Sequence, residues 1–318
     1  MRNAFIAELT ELAEDPRLMA LLADNGIIVY DDYLKRRPNQ LINLGIAESN
    51  LIGVAAGLAS CGFVPVIYSI IPFLVMRPFE FVRDDIAYQN LNVKLVGIGA
   101  GFAYSSLGPT HHGTEDVSLL GCLPNMTVLS PSDPLETRKA ARAAYEHDGP
   151  VYLRIGTGRN PVVNESDYNF ELGKGIELRP GTEVTLISTG TILSEVLRAA
   201  EELEKQRVSA RVINIHTLKP LDRELVSQAA RETGAILTIE EHSTTGGLAS
   251  LVASALMELG EGSTRFAALG LRDRFCESYG PIEDLRRALG LTAEDICASA
   301  LALLNARSAN VTSPLLSV

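Results

Sequence analysis

The sequence predicts an α/β protein of two domains, each a mostly parallel sheet with helices on both faces. Three observations carry this. Short apolar runs alternate with amphipathic stretches of helical period along nearly the whole chain, the pattern of a parallel sheet covered on both sides. The alternation breaks off once, over residues 156–175, where Pro161, Asn164 and several acids collect. A chain of 318 residues with 46% hydrophobic content is long enough for two cores. The expected division is residues 1–160 as the first domain, 161–175 as a linker, 176–305 as the second domain and 306–318 as a flexible, Ser-rich tail.

Phe5, Ile6, Leu9 and Leu12 repeat at helical spacing, so residues 2–14 read as a helix that ends before Pro16. The uncharged run 18–23 is a buried strand closing at Asp24, and polar residues at strand carboxyl ends are where open α/β sheets place ligand contacts. Residues 31–38 read as an exposed helix or turn, and 41–43 as a strand leading into a helix that opens at Glu48. Strands at 64–69, 93–98, 127–130 and 151–155 then alternate with helices at 73–89, 115–123 and 134–147, the first disturbed by Pro78. Residues 99–113 are too rich in Gly, Ser and Pro to be anything but a loop. The second half repeats the theme with strands at 184–188, 209–214, 236–240 and 267–271 and helices at 193–204, 223–233 and 248–259.

A net charge of -11 and a pI near 5.0 argue against nucleic acid and anionic membranes as partners. The first eight residues already carry charges, and no run reaches the roughly 18 uncharged apolar residues of a membrane span without Gly or Pro breaks, so a cytoplasmic protein is expected. Cys61, Cys122, Cys276 and Cys297 lie far apart with no C-x-x-C pair, which reads as buried thiols.

One carboxylate stands out. After Glu48 the next charge is Arg77, and the stretch between is apolar and rich in small residues: Gly53, Ala55, Ala56, Gly57, Ala59 and Ser60. Glu48 is either an acid favoured by the helix dipole or a buried carboxyl awaiting a partner. Small residues along the helix suit an interface between chains or domains. His111 and His112, in a Gly-Pro-Thr-His-His-Gly loop, are either surface residues or ligands of a substrate. No H-x-x-x-H spacing suggests a metal, no G-x-S-x-G a serine nucleophile, and no G-x-x-x-x-G-K-[ST] a phosphate loop.

Taken in order, Asn43-Leu-Gly-Ile-Ala-Glu48-Ser-Asn, Tyr68-Ser-Ile-Ile-Pro-Phe73, Gly108-Pro-Thr-His111-His-Gly-Thr-Glu-Asp116, Leu123-Pro-Asn-Met-Thr-Val128 with Pro131-Ser-Asp133, and Gly149-Pro-Val-Tyr-Leu-Arg154 resemble the pyrimidine-binding domain of transketolases. Ile239-Glu-Glu-His242-Ser-Thr-Thr-Gly246-Gly247-Leu resembles their C-terminal domain, and the resemblance runs from about residue 2 to residue 300. It implies that Glu48 hydrogen-bonds the aminopyrimidine of thiamine diphosphate and favours the imino tautomer that deprotonates the thiazolium C2. It also implies Phe73 as the aromatic on the pyrimidine, Asp24 and Ile46 beside the cofactor, and His111 on the donor's hydroxyl and reacting oxygen, with His112, Arg77 and Arg154 as further substrate candidates.

The same resemblance implies a partner. Transketolases hold the diphosphate and its magnesium or calcium on a domain with Gly-Asp-Gly and a downstream Asn, and no Gly-Asp-Gly occurs here. The chain resembles the C-terminal subunit of a split transketolase, expected to pair through its Glu48 helix as a homodimer core and to form an α2β2 heterotetramer with N-terminal subunits. The expected reaction is transfer of a two-carbon ketol unit from a ketose to an aldehyde or aldose. Condensation of a pyruvate-type donor, as in deoxyxylulose-phosphate synthases, is the alternative, and a non-catalytic assembly subunit is the rival of another class. Transketolases carry a histidine where this chain has Gly99, an aspartate where it has Leu107 and an arginine where it has Thr157, residues that hold sugar phosphates. Substrates other than the standard pentose phosphates are therefore expected, unless Arg154, Arg159 or Arg77 compensates.

Overall fold

The computed structural model describes residues 1–158, 160–164 and 168–306; Arg159 and the expected tail from residue 307 onward lie outside the described residues. The elements are α1 (Arg2–Leu12), β1 (Leu18–Leu22), α2 (Asp31–Arg36), β2 (Leu41–Asn43), α3 (Glu48–Ser60), β3 (Val64–Ile70), α4 (Ile71–Val75), α5 (Phe79–Phe81), β4 (Lys94–Ile98), α6 (Asp116–Gly121), β5 (Thr127–Leu129), α7 (Pro134–Glu146) and β6 (Val151–Ile155). The second half continues with β7 (Ile176–Arg179), β8 (Val184–Ser188), α8 (Leu193–Lys205), β9 (Ala210–Asn214), β10 (Thr217–Lys219), α9 (Arg223–Thr233), β11 (Ala235–Ser243), α10 (Leu248–Glu258), β12 (Arg265–Leu271), α11 (Ile282–Leu289) and α12 (Ala293–Asn305).

Two sheets form. One has seven strands in the order β10-β5-β6-β4-β3-β1-β2, and the other five in the order β12-β11-β8-β9-β7. Each is parallel except for one antiparallel edge strand, β10 against β5 and β7 against β9. In the first sheet the strand order reverses between β1 and β3, so their carboxyl ends frame the crevice in which such sheets bind ligands.

The cores follow from which helix face is apolar. Phe5, Ile6 and Leu9 of α1 pack with Ala140 and Ala144 of α7 on one side of the first sheet. On the other side a single apolar cluster runs from Leu51, Ile52 and Ala55 of α3 through Ile67 and Val128 to Ile187, Ile213, Val226 and Leu248. The two halves thus share a core. Helices α8 and α12 cover the far face of the second sheet with Val196, Leu203, Ile296 and Ala300.

Four departures from the sequence reading have physical causes. The helix expected over 73–89 is cut at Arg77–Pro78 into α4, α5 and a π-helical turn, Val82–Ala87, because proline removes a donor and clashes with the preceding turn. Strand β10 was not foreseen; it leaves the second half to close the first sheet, and Ser130 N donates to His216 O across that join at 2.8 Å. The edge strand β7 is also new. Residues 282–305 approach membrane-span length and hydropathy when taken together, yet fold as two helices parted at Gly290, whose φ of 68° ends α11, while Thr292 and Asp295 form a capping box for α12.

Candidate active site

Glu48 is the first residue of α3, entered from a loop that turns at Gly45 with φ of 72°. No side chain caps this helix, so its free N–H groups favour the adjacent carboxylate. The residue is only 3% exposed, yet one bond answers it: Arg77 Nη1 donates to Glu48 Oε2 at 2.6 Å. Among the described residues no hydrogen bond reaches Oε1. Leu51, Ile52, Ala55 and Ala56 bury the inner face of α3, while Asn50, Gly53, Gly57 and Ser60 face outward. A Cβ added at Gly53 or Gly57 would meet nothing within 4 Å, so the helix is open on that side in the single chain.

From Glu48 a contiguous series of side chains crosses the carboxyl ends of β3 and β4. The Arg77 guanidinium lies 4.8 Å above the Phe73 ring. Phe73 meets His111 edge to face at 5.2 Å, and His111 meets Tyr104 in the same way at 6.3 Å. Thr110 Oγ1 lies 2.9 Å from His111 Nδ1. The structure therefore brings together Glu48, Arg77, Phe73 and His111, which are widely separated in sequence. Asp24 sits at the end of β1 in the left-handed region, φ 58°, and is tied to the loop before Glu48: Asn43 Nδ2 donates to Asp24 Oδ1 at 2.9 Å, and Asn43 Oδ1 accepts from Asp24 N and Gly45 N. Ile46, in that loop, is 78% exposed.

Two expectations need correction. Arg154 is not available to a substrate: at 3% exposure it donates through Nε to Asp116 Oδ2 at 2.8 Å and through Nη2 to Gly113 O at 2.8 Å. Tyr152 adds its hydroxyl to the same carboxylate at 2.6 Å, so this is a closed structural network. His112 is also withdrawn from the surface, being 2% exposed and packed edge to face on Phe102, with burial lowering its pKa, although its Nε2 has no hydrogen-bond partner among the described residues. The sequence held one hint, since Arg154 lies within a strand buried on both faces.

Of the positions that depart from the transketolase pattern, Gly99 has a packing reason. Gly99 adopts φ of 102°, and a Cβ there would fall 2.5 Å from Tyr104 Cδ2. Tyr104 thus fills the room of a side chain at position 99. Leu107 is 47% exposed, and the Thr157 carbonyl accepts from Arg2 N at 3.3 Å. Tyr104 and Asn43 were not singled out from sequence, because their roles depend on where two loops cross.

The site fits a planar, nitrogen-bearing ring. Arg77 already presents a flat guanidinium that stacks on Phe73 and donates an N–H to Glu48, so the aromatic face and the acceptor are spaced to hold such a group together.

Comparison with known proteins shows the family. The transketolase pyrimidine-binding domain matches residues 1–161 and the transketolase C-terminal domain matches residues 173–296. The 6-deoxy-6-sulfo-D-fructose transketolase subunit SqwH of Clostridium sp. (strain MSTE9) is 40% identical over 304 residues, 94% of this chain and 93% of that protein. An apulose-4-phosphate transketolase subunit of Phocaeicola vulgatus is 36% identical over 303 residues, 94% of this chain and 96% of that protein. A solved structure described as a split gene transketolase, inactive beta4 tetramer, superposes with a TM-score of 0.88 at 40% identity, covering 95% of this chain and 97% of that one. The chain therefore belongs to the transketolase family, as a unit made of its pyrimidine-binding and C-terminal domains.

Proposed function

We propose that this chain is the pyrimidine-binding subunit of a two-chain thiamine-diphosphate transferase that moves a two-carbon ketol unit between sugars other than the standard pentose phosphates. One observation carries the reading: the buried carboxyl of Glu48 has one oxygen held and the other free, beside an aromatic face, at the start of the helix that follows β2. When bound, the cofactor supplies a stabilised carbanion at its thiazolium C2. Glu48 holds a proton against the aminopyrimidine in an apolar wall, where the bond is strengthened by low polarity. Phe73 orients the ring, Asp24 and Ile46 line its approach, and His111 holds the donor's hydroxyl and reacting oxygen. Arg77, released from Glu48, offers a cation to the substrate.

A diphosphate-binding partner subunit completes the site and supplies the magnesium or calcium ion. The outward face of α3, open at Gly53 and Gly57, suits close approach of a second copy and an α2β2 assembly. The relatives' names support both parts: they are subunits, and their named substrates are a 6-sulfo sugar and apulose 4-phosphate. All four cysteines are free thiols, Cys61 and Cys122 exposed rather than buried as the sequence suggested, which suits the cytoplasm; fractionation would test this.

The experiment is turnover by this chain co-purified with its diphosphate-binding subunit. Donors are xylulose 5-phosphate, fructose 6-phosphate, 6-deoxy-6-sulfo-D-fructose and pyruvate, each with aldehyde acceptors. Ketol transfer from a modified ketose, faster than from xylulose 5-phosphate to ribose 5-phosphate, is expected. Preference for pyruvate, or for the standard pair, would overturn the reading.

A further inference from the structure

We propose that the second domain is a clamp that sets the pose of His111, with Glu241, His242 and Tyr279 as positioning residues for the loop that carries it. The inference rests on the ketol-transfer reading only in assigning His111 to the donor. The loop leaves β4 at Gly99 and is pinched shut by reciprocal bonds between Gly101 and Gly113, both 3.0 Å. Beyond that pinch, the second domain supplies its ties.

Ser243 N donates to Thr114 O at 2.8 Å, and Val117 N donates to His242 Nε2 at 3.2 Å. Ser118 Oγ donates to Thr245 O at 2.8 Å, and Gly280 N to Ser105 O at 3.4 Å. Two glycines let the domains close on each other. A Cβ at Gly101 would fall 2.6 Å from Glu241 Cβ, and one at Gly108 would overlap the Tyr279 ring. Positive φ at both, 59° and 76°, adds a conformational reason for glycine.

The clamping side chains are themselves fixed. Glu241 accepts from Thr191 Oγ1 at 2.8 Å and from Arg286 Nε at 2.7 Å. Since His242 Nε2 accepts from Val117, its proton lies on Nδ1, which donates to Ser243 O at 2.7 Å. Burial keeps this imidazole neutral, with a pKa lowered to about 4. His111 thus sits on a loop gripped at Ser105 and Gly108 on one side and at Thr114 to Ser118 on the other, all by the domain that holds none of the proposed cofactor residues. A histidine that must meet a reacting oxygen needs such a frame, because a displacement of about 1 Å can cost roughly 10²-fold in rate.

The test uses Tyr279→Ala, His242→Ala and His242→Gln in the full chain. Tyr279 is 65% exposed, so its truncation leaves the core intact; glutamine keeps a neutral acceptor near the Nε2 position. Amide hydrogen exchange is read at residues 105–114, with α3 and β9 as internal references, and kcat, KM and thiazolium C2 exchange are read in the complex with the diphosphate-binding subunit. Tyr279→Ala and His242→Ala should speed loop exchange by about tenfold or more over the references. They should cut kcat/KM for the best donor of the panel about 10- to 100-fold, while C2 exchange, which depends on Glu48, stays as in wild type. His242→Gln should restore both loop protection and turnover. Loop exchange unchanged in both alanine variants, protection lost evenly over the whole chain, or C2 exchange falling in step with turnover would each overturn the clamp. If the wild-type complex transfers no ketol unit from any donor, the functional reading fails, and the loop exchange still decides the clamp.

Discussion

Among the buried carboxylates that meet an arginine, Asp116 and Glu48 differ in how completely they are answered. Asp116 is fully buried and takes bonds from Arg154 and Tyr152, while Arg154 also donates to Gly113 O and Ser130 Oγ. Glu48 is nearly as buried, yet Arg77 is half in solvent and holds one of its oxygens. A buried charge is tolerated when paired and hydrogen-bonded, so a completed network explains itself and an incomplete one calls for a ligand. Depth alone does not mark an active-site acid; an open valence in an otherwise dry wall does.

The largest expected effect separates the two carboxylates directly. Glu48→Gln should slow C2 proton exchange in the assembled complex by about 10²–10⁴-fold, the usual worth of a general acid–base group, with little change in urea midpoint. Exchange at the wild-type rate would reduce Glu48 to a helix-start acid. Arg154→Met, in contrast, leaves Asp116 charged and buried without its cation and should cost about 3–5 kcal/mol of stability in urea unfolding.

The pH dependence sharpens the same contrast between closed and open sites. His216 is stacked on Phe170 with ring centroids 4.1 Å apart, and burial lowers its pKa to about 4. Its folded pKa lies below the ordinary 6.5, so its contribution is complete above about pH 6.5 and is lost as pH falls toward 4, on the order of 3 kcal/mol. Glu240 runs the other way. Burial raises it to about 8 although Leu248 N and Ala249 N donate to it, so stability is lost as pH climbs from the ordinary 4.5 through 8. His216→Gln should flatten the acid limb of the stability profile and Glu240→Gln the neutral-to-basic limb; an acid limb unchanged by His216→Gln would refute the first assignment.

A smaller effect is expected at the departure from the family pattern. Gly99→Ala must adopt φ of 102° and push against Tyr104, and should destabilise by about 2 kcal/mol. Adding Tyr104→Ala should recover the steric share and leave the backbone share. Full recovery would mean that φ carries no strain there.

The alternation of strands and helices was legible because each element states its own period locally. Glu48 was legible as the lone charge between Asn43 and Arg77, an anomaly visible without any partner. The roles of Arg154 and His112 were not, because only the tertiary structure shows that strand β6 delivers Arg154 to Asp116, or that the ring of His112 turns inward onto Phe102. Strand β10 escaped for a similar reason: three residues between a histidine and a proline carry no periodicity, and their pairing with β5 joins segments nearly ninety positions apart. The Glu240–His242 segment was recognisable as a motif, but its contacts with Gly101 and Val117 lie between domains.

The smallest predicted effect is the most diagnostic for the comparison. Arg77→Met removes a cation that is 51% exposed, and half-exposed pairs are worth about 0–1 kcal/mol because solvent screens them. The urea midpoint should therefore barely move, whereas Arg154→Met shifts it strongly. Removing Arg77 also bares the Glu48 carboxylate and the Phe73 face at once. If a ring-shaped ligand must displace the guanidinium from both, a contact of at most about 1 kcal/mol limits the gain in cofactor affinity to roughly fivefold, and calorimetry on the assembled enzyme should show binding unchanged or tighter within that range. A loss of several kcal/mol in stability would instead make Glu48–Arg77 a second structural pair, and the contrast with Asp116–Arg154 would collapse.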